Sequence, residues 1–117
     1  MAPATLPGQL TTTSPAGRNV EEAGMPIQMA ELLAALQTPG YVTRQTVIKP
    51  RYITRAKKAI KKAFEYQVAG KCFSFVEVVS TCPTNWGMTP LEAVKWSEET
   101  LLAYYKLGDY KTPEQEA

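Results

Sequence analysis

Cys82 is the residue of this chain best placed to do chemistry. It sits next to Pro83 in the turn Ser80 to Gly87, between an apolar run and the start of a helix. A cysteine beside a proline suits an iron-sulfur ligand, because the proline ring fixes the backbone and removes a competing N–H. Trp86 adds a large ring to a polar loop, and the expectation is that it packs against a partner or a cofactor edge. A plain connecting loop would use Pro83, Asn85 and Gly87 for turn geometry alone. The other use of a lone cysteine, as a nucleophile, needs a neighbouring base, and the chain has no histidine. Cys72 begins the strand that Cys82 follows. At about 3.3 Å per residue the two sulfurs lie roughly 25 Å apart, too far to pair or to chelate together. Cys72 reads as a small hydrophobe. If Cys82, the candidate metal ligand, binds a cluster, its fellow ligands must come from elsewhere; the plain loop reading stays open beside it, and no residue is assigned a catalytic or organic-cofactor role.

The composition narrows the setting. The chain has 117 residues, 44% of them apolar, enough for one modest core. Thirteen basic against eleven acidic side chains leave +2, too near balance to favour nucleic acid or an anionic membrane as the main partner. No run approaches the roughly 20 apolar residues that span a bilayer, and the first residues do not look like an export signal. Two cysteines make no disulfide scaffold, so a reducing, cytoplasmic interior is expected.

The elements that position Cys82 follow from periodicity. Residues 1–24 carry Pro3, Pro7, Gly8, Pro15 and Gly17 around a Thr-rich run with no sustained period, and read as loop. From Pro26, Met29, Leu32, Leu33 and Leu36 repeat at three and four, which predicts a short amphipathic helix. Tyr41 to Val47 alternates as a strand. Arg51 to Ala69 predicts a helix with Ile53, Ala56, Ile60, Ala63 and Phe64 on one side and Lys57, Lys58, Lys61 and Lys62 on the other. Cys72 to Val79 reads as a strand covered on both faces, Glu77 its sole charge. Thr89-Pro90-Leu91-Glu92 supplies an N-cap, a first-turn proline and a capping box for a last helix running to Gly108. The tail 109–117 is polar. This order is that of a parallel α/β layer, and two such apolar strands leave the sheet incomplete alone.

One stretch carries a specific resemblance. FSFVEVVSTCPTNWGMTPLEAVKW (Phe73 to Trp96) resembles the C-terminal part of the β subunit of 2-oxoacid:ferredoxin oxidoreductases, thiamine diphosphate enzymes that turn a 2-oxoacid and coenzyme A into acyl-CoA, carbon dioxide and reduced ferredoxin. APATLPGQLTTTSPAGRN (Ala2 to Asn19) is similar to the loop after that family's thiamine-binding motif. RAKKAIKKAFEYQ (Arg55 to Gln67) is similar to the following helix, and YYKLGDYK (Tyr104 to Lys111) to the closing segment. CPTNWG is the most specific part and the Thr-rich loop the weakest.

The resemblance implies a partial thiamine-diphosphate-binding fold of parallel strands with packed helices. Residues 1–24 would adjoin a missing cofactor-binding part, and residues 25–108 would form the C-terminal part of that domain. It implies that Cys82 is the late ligand of a [4Fe-4S] cluster whose other cysteines lie near the family's N-terminus. The family's GDG motif, later asparagine and TGGQ turn, which hold thiamine diphosphate and Mg²⁺, are not in this sequence. The chain therefore resembles the last third or so of a β subunit, whether a truncated product, a split subunit or a misplaced start. Cofactors are expected in the intact complex and none stably on the isolated chain, which is expected to be inactive. The implied partners are the α subunit, the missing N-terminal part of the β subunit, ferredoxin, coenzyme A and a 2-oxoacid, with neither nucleic acid nor membrane. CPTN points first to 2-oxoglutarate or branched-chain 2-oxoacids. Two other classes compete: a non-catalytic α/β interaction module, and a basic-helix binder of nucleic acid or a membrane surface built on the lysines of the long helix.

Overall fold

A computed structural model describes residues 2–116. Its elements, in chain order, are a 3₁₀ turn at Ala2–Ala4, α1 Val20–Ala23, α2 Met29–Ala34, β1 Gly40–Thr46, α3 Pro50–Val68, β2 Phe73–Val79, α4 Pro83–Trp86, α5 Pro90–Trp96, a π segment Ser97–Leu101, α6 Leu102–Tyr104, β3 Gly108–Lys111 and a 3₁₀ turn at Pro113–Glu116. Two compact units result: one of residues 1–28 and 81–103, the other of residues 29–80 and 104–117.

The second unit is the sheet. Its strand order is β2-β1-β3, with β1 and β2 parallel, from Gly40 opposite Phe73 to Thr46 opposite Val79. The α3 crossover makes this pairing possible, since parallel neighbours need a long connection and a helix supplies it. The expected α/β class, with parallel strands and packed helices, is what forms. β3 pairs antiparallel to β1 and makes the sheet mixed. It lies where the sequence pattern offers a polar tail, because Gly-Asp-Tyr-Lys has too little alternation to signal a strand. Its place is fixed by long-range bonds instead: the Thr43 hydroxyl donates to the Gly108 carbonyl at 3.1 Å, and the Lys111 ammonium donates to the Leu36 and Thr38 carbonyls.

The burial of the two parallel strands reverses the expectation. β1, which alternates polar and apolar residues, is buried at all seven positions, whereas β2, the more apolar, is only half-buried and leaves Val78 exposed. β1 is central and β2 is an edge, so position in the sheet overrides the residue pattern. The polar side chains of β1 are buried because each has a partner. Thr46 donates to the Val79 carbonyl at 2.6 Å and Gln45 to the Thr43 hydroxyl at 2.8 Å. Gly40 is required by packing: a Cβ there would lie 2.4 Å from Cε1 of Phe73. Tyr41, Ala63 and Tyr66 form a small core between β1 and α3, and Cys72 packs against it, as a small hydrophobe would.

The first unit gives the leading loop more order than its composition suggests. The Gly8 amide donates to the Arg18 carbonyl at 3.0 Å, and the Arg18 amide returns to Gln9 at 3.2 Å. The buried Arg18 guanidinium donates to the carbonyls of Ala23, Gly24 and Met25, which closes the loop around α1. α5 starts as its sequence signals: the Thr89 side chain accepts from the Glu92 amide, and the Glu92 carboxylate accepts from the Thr89 amide. The single helix expected to reach Gly108 is broken by the π segment at Ser97, a fully buried residue.

Candidate functional site

Cys82 caps α4, a single turn that begins with Pro83 and ends at Gly87, whose φ of 67° is the left-handed conformation glycine tolerates. The turn closes on itself through the Trp86 amide to the Cys82 carbonyl at 3.0 Å and the Met88 amide to the Pro83 carbonyl at 2.9 Å. Within it the Cys82 thiol is free and half-buried. Its sulfur accepts a hydrogen bond from Asn85 Nδ2 at 3.1 Å.

Asn85 is itself held. Its side-chain oxygen accepts from the Thr12 hydroxyl at 3.3 Å, and its carbonyl accepts from the Thr12 amide at 3.1 Å. The Thr-rich loop thus clamps the residue that bonds the sulfur, and the chain Thr12, Asn85, Cys82 fixes which way the thiol points. A shallow cleft of about 230 Å³ lies along this contact, lined by Leu10, Thr11, Thr12, Thr84, Asn85, Trp86 and Gly87. Thr12 and Asn85 are the site residues that sequence reasoning missed. Asn85 reads as a turn former, and nothing in the spacing of a loop residue and a turn residue 73 positions apart announces that they meet. Trp86 packs edge-on against Trp96, with centroids 4.9 Å apart, and stays half-buried, lining the cleft.

Chemically, a half-exposed thiol with an N–H aimed at its sulfur suits one bond to a soft metal centre, because hydrogen bonds to sulfur stabilise the charge on a coordinating thiolate. One thiolate does not hold a cluster. Among the described residues no three Cys, His, Asp or Glu side chains gather where a metal could sit. A single thiolate is what the Cys82 turn could offer a metal centre.

A second constellation lies in the sheet. Arg44 is fully buried in β1, opposite Glu77 across the parallel pair. Its guanidinium donates to the Glu31 carboxylate at 2.6 and 2.8 Å, to the Tyr110 hydroxyl at 2.8 Å and to the Glu77 carboxylate. It also stands about 5 Å from the ring centroids of Tyr105 and Tyr110. Burial opposes the charge, but the bonds to Glu31 and Glu77 outweigh it and hold the guanidinium above its ordinary range. The same bond to Arg44 pulls the Glu31 carboxyl below the usual carboxylate range. This cluster ties α2, both parallel strands and β3 together; one guanidinium serves two carboxylates and a tyrosine hydroxyl, all of them side chains of the fold, which fits a structural role.

The chain is 40% identical over 111 residues to the ketoisovalerate oxidoreductase subunit VorA of Methanothermobacter thermautotrophicus, covering 95% of this chain and 23% of that protein. It is 39% identical over 99 residues to the 2-oxoglutarate synthase subunit KorB of Archaeoglobus fulgidus, covering 85% of this chain and 33% of the relative. Against KorB of Methanocaldococcus jannaschii it is 33% identical over 120 residues, 40% of that protein's length. The chain's relatives are thus subunits of 2-oxoacid:ferredoxin oxidoreductases, as the sequence resemblance implied, and the chain spans well under half the length of each. No family model matches the chain, and no solved structure matches it. No helix among the described residues is long and apolar enough to cross a membrane.

Proposed function

We propose that this chain is the C-terminal part of the β subunit of a 2-oxoacid:ferredoxin oxidoreductase and that Cys82 gives one thiolate to a [4Fe-4S] cluster. The preceding part of the subunit would supply the other ligands. One observation carries the ligand role: Cys82 is a half-buried residue with no disulfide partner, and the Asn85 N–H is already on its sulfur. Likeness to VorA and KorB over 95% and 85% of this chain supports the choice of enzyme. The half-buried edge strand β2 supports the incompleteness, because Phe73, Phe75, Val76 and Val78 are the residues of a strand that another strand or subunit covers.

In the complete enzyme, thiamine diphosphate with Mg²⁺ would supply the decarboxylation chemistry and an iron-sulfur cluster would supply one-electron transfer. This chain's own residues have narrower tasks. Cys82 would bond one iron. Asn85, which donates to the sulfur, would raise the reduction potential by stabilising the added negative charge. Thr12 holds the Asn85 amide in the orientation that keeps its N–H toward the sulfur. The α subunit, coenzyme A and a cytoplasmic setting belong to the same proposal, with ketoisovalerate or 2-oxoglutarate the substrates suggested by the relatives' names.

The test is anaerobic co-expression with the preceding part of the subunit and the α partner. Cys82→Ser is expected to leave the complex assembled and to strip the iron and the brown colour assigned to this cluster. Full iron content in that variant would end the ligand role. Asn85→Ala is expected to keep the cluster and lower its potential, which separates tuning from ligation. A chain that stays colourless in every such assembly would instead be the non-catalytic interaction module.

A further inference from the structure

The sheet unit contains a second concave site, unrelated to Cys82. A cleft of about 390 Å³ lies between α3 and the β1–β3 pair, lined by Tyr41, Gln45, Arg55, Lys58, Ala59, Lys62, Leu107, Gly108 and Asp109. That volume is in the range of small-molecule sites. Arg55, Lys58 and Lys62 fall at intervals of three and four along α3, so one face of the helix presents all three cations to the cleft. The sequence pattern alone makes them part of a solvated lysine face. Among the described residues none of the three is ion-paired, whereas Arg44, elsewhere in the molecule, pairs with two carboxylates. Lys62 feels the Glu114 carboxylate only through space.

Two features make this a built cleft and not a loose basic surface. The Lys62 ammonium lies 5.2 Å from the centroid of the Tyr41 ring and 5.6 Å from that of Tyr66, which fixes it over the buried core. The floor is polar: the Tyr41 hydroxyl donates to Asp109 Oδ1 at 3.2 Å, and its oxygen retains capacity to accept. The cleft therefore holds three cations against one carboxylate, and that carboxylate is already engaged.

We propose that this cleft binds a phosphate-bearing small molecule, of diphosphate size, through Arg55, Lys58 and Lys62. Two or three charged oxygens would neutralise the excess that the fold leaves there, Arg55 being suited to a two-pronged contact and the lysines to point contacts. Burial and the nearby Asp109 raise Tyr41 to about 12, so its hydroxyl stays neutral and does not repel an anion at neutral pH. The site is independent of the iron-ligand reading, and either can fail alone.

The experiment is calorimetric titration of the full chain with sodium pyrophosphate, with anionic phosphatidylglycerol vesicles and a short polyglutamate peptide as comparison arms. Saturable one-to-one binding of pyrophosphate is expected, weakening as salt rises. Lys58→Gln or Arg55→Gln is expected to raise the dissociation constant about fivefold each, the scale of a partly exposed charge contact. Lys57→Gln, exposed on the same helix but outside the cleft, is expected to leave it unchanged. The proposal is overturned if pyrophosphate does not saturate while vesicles or peptide bind. It is equally overturned if Lys57→Gln weakens binding as much as Lys58→Gln, since the helix would then act only as a diffuse charge.

Discussion

Replacing Arg44 by alanine tests whether the buried cluster holds the sheet unit together. The side chain is fully buried, and its loss leaves Glu31 and Glu77 without their cation while their side chains remain only 34% and 22% exposed. Removing one partner of a buried ion pair costs about 3–5 kcal/mol, because a charge is left without compensation. Both carboxylates keep some access to water, so the lower end, about 3 kcal/mol, is expected in urea unfolding at neutral pH. The acid branch gives a second reading. Because Arg44 depresses the folded Glu31 carboxyl, that contribution is present above the ordinary carboxylate value and is lost as pH falls through the lowered one. In Arg44→Ala this loss disappears, so the variant's stability is expected to depend less on pH in the acid range. Arg44→Met with Glu31→Gln and Glu77→Gln, which removes all the charges while keeping bulk, is expected to recover part of the stability. A loss under about 1 kcal/mol for Arg44→Ala, or an unchanged acid branch, would refute the assignment of this cluster as the clamp of the sheet.

Three further outcomes are expected. Gly40→Ala would drive a methyl into the Phe73 ring and destabilise by about 1–3 kcal/mol, and Phe73→Leu in the same chain should return part of that, since the clash is with the far side of the ring. An ultraviolet pH titration should show Tyr41 and Tyr66 ionising together near 12, an absorbance step that Tyr41→Phe reduces and that Tyr41→Phe with Tyr66→Phe removes. As the folded value of Tyr41 is raised, its contribution to stability is whole below the ordinary tyrosine value and is lost as pH climbs toward 12. Trp86→Ala should cost about 3 kcal/mol and change the Trp96 fluorescence, because the edge-on contact of the two rings anchors the α4 turn on α5; an unaltered Trp96 spectrum would show that the rings do not pack in solution.

The legible parts of this fold are those whose cause is local. The Thr89 to Glu92 box and the long helical crossover between two parallel strands are written in neighbouring residues, so the sequence predicts them and the structure forms them, whereas the apolar face expected of α3 is displaced: Ala56, Ala59, Ala63 and Tyr66 are buried while Ile60 and Phe64 are exposed. What the sequence hides is set by partners far along the chain. Arg44 in an alternating strand looks like an outward-facing charge, and only the pairing with Glu77, together with Glu31 and Tyr110, makes its burial affordable. The four residues of β3 form a strand because β1 offers them a free edge, not because they favour extension. The same division runs through the Cys82 turn. The cysteine and proline are adjacent and therefore visible, whereas the hydrogen bond that gives the thiol its direction depends on Asn85, and Asn85 depends on a threonine near the other end of the chain. A thiol flanked by proline states what chemistry is available; the Thr12 clamp determines where that chemistry is aimed, and that second statement needs the folded loop.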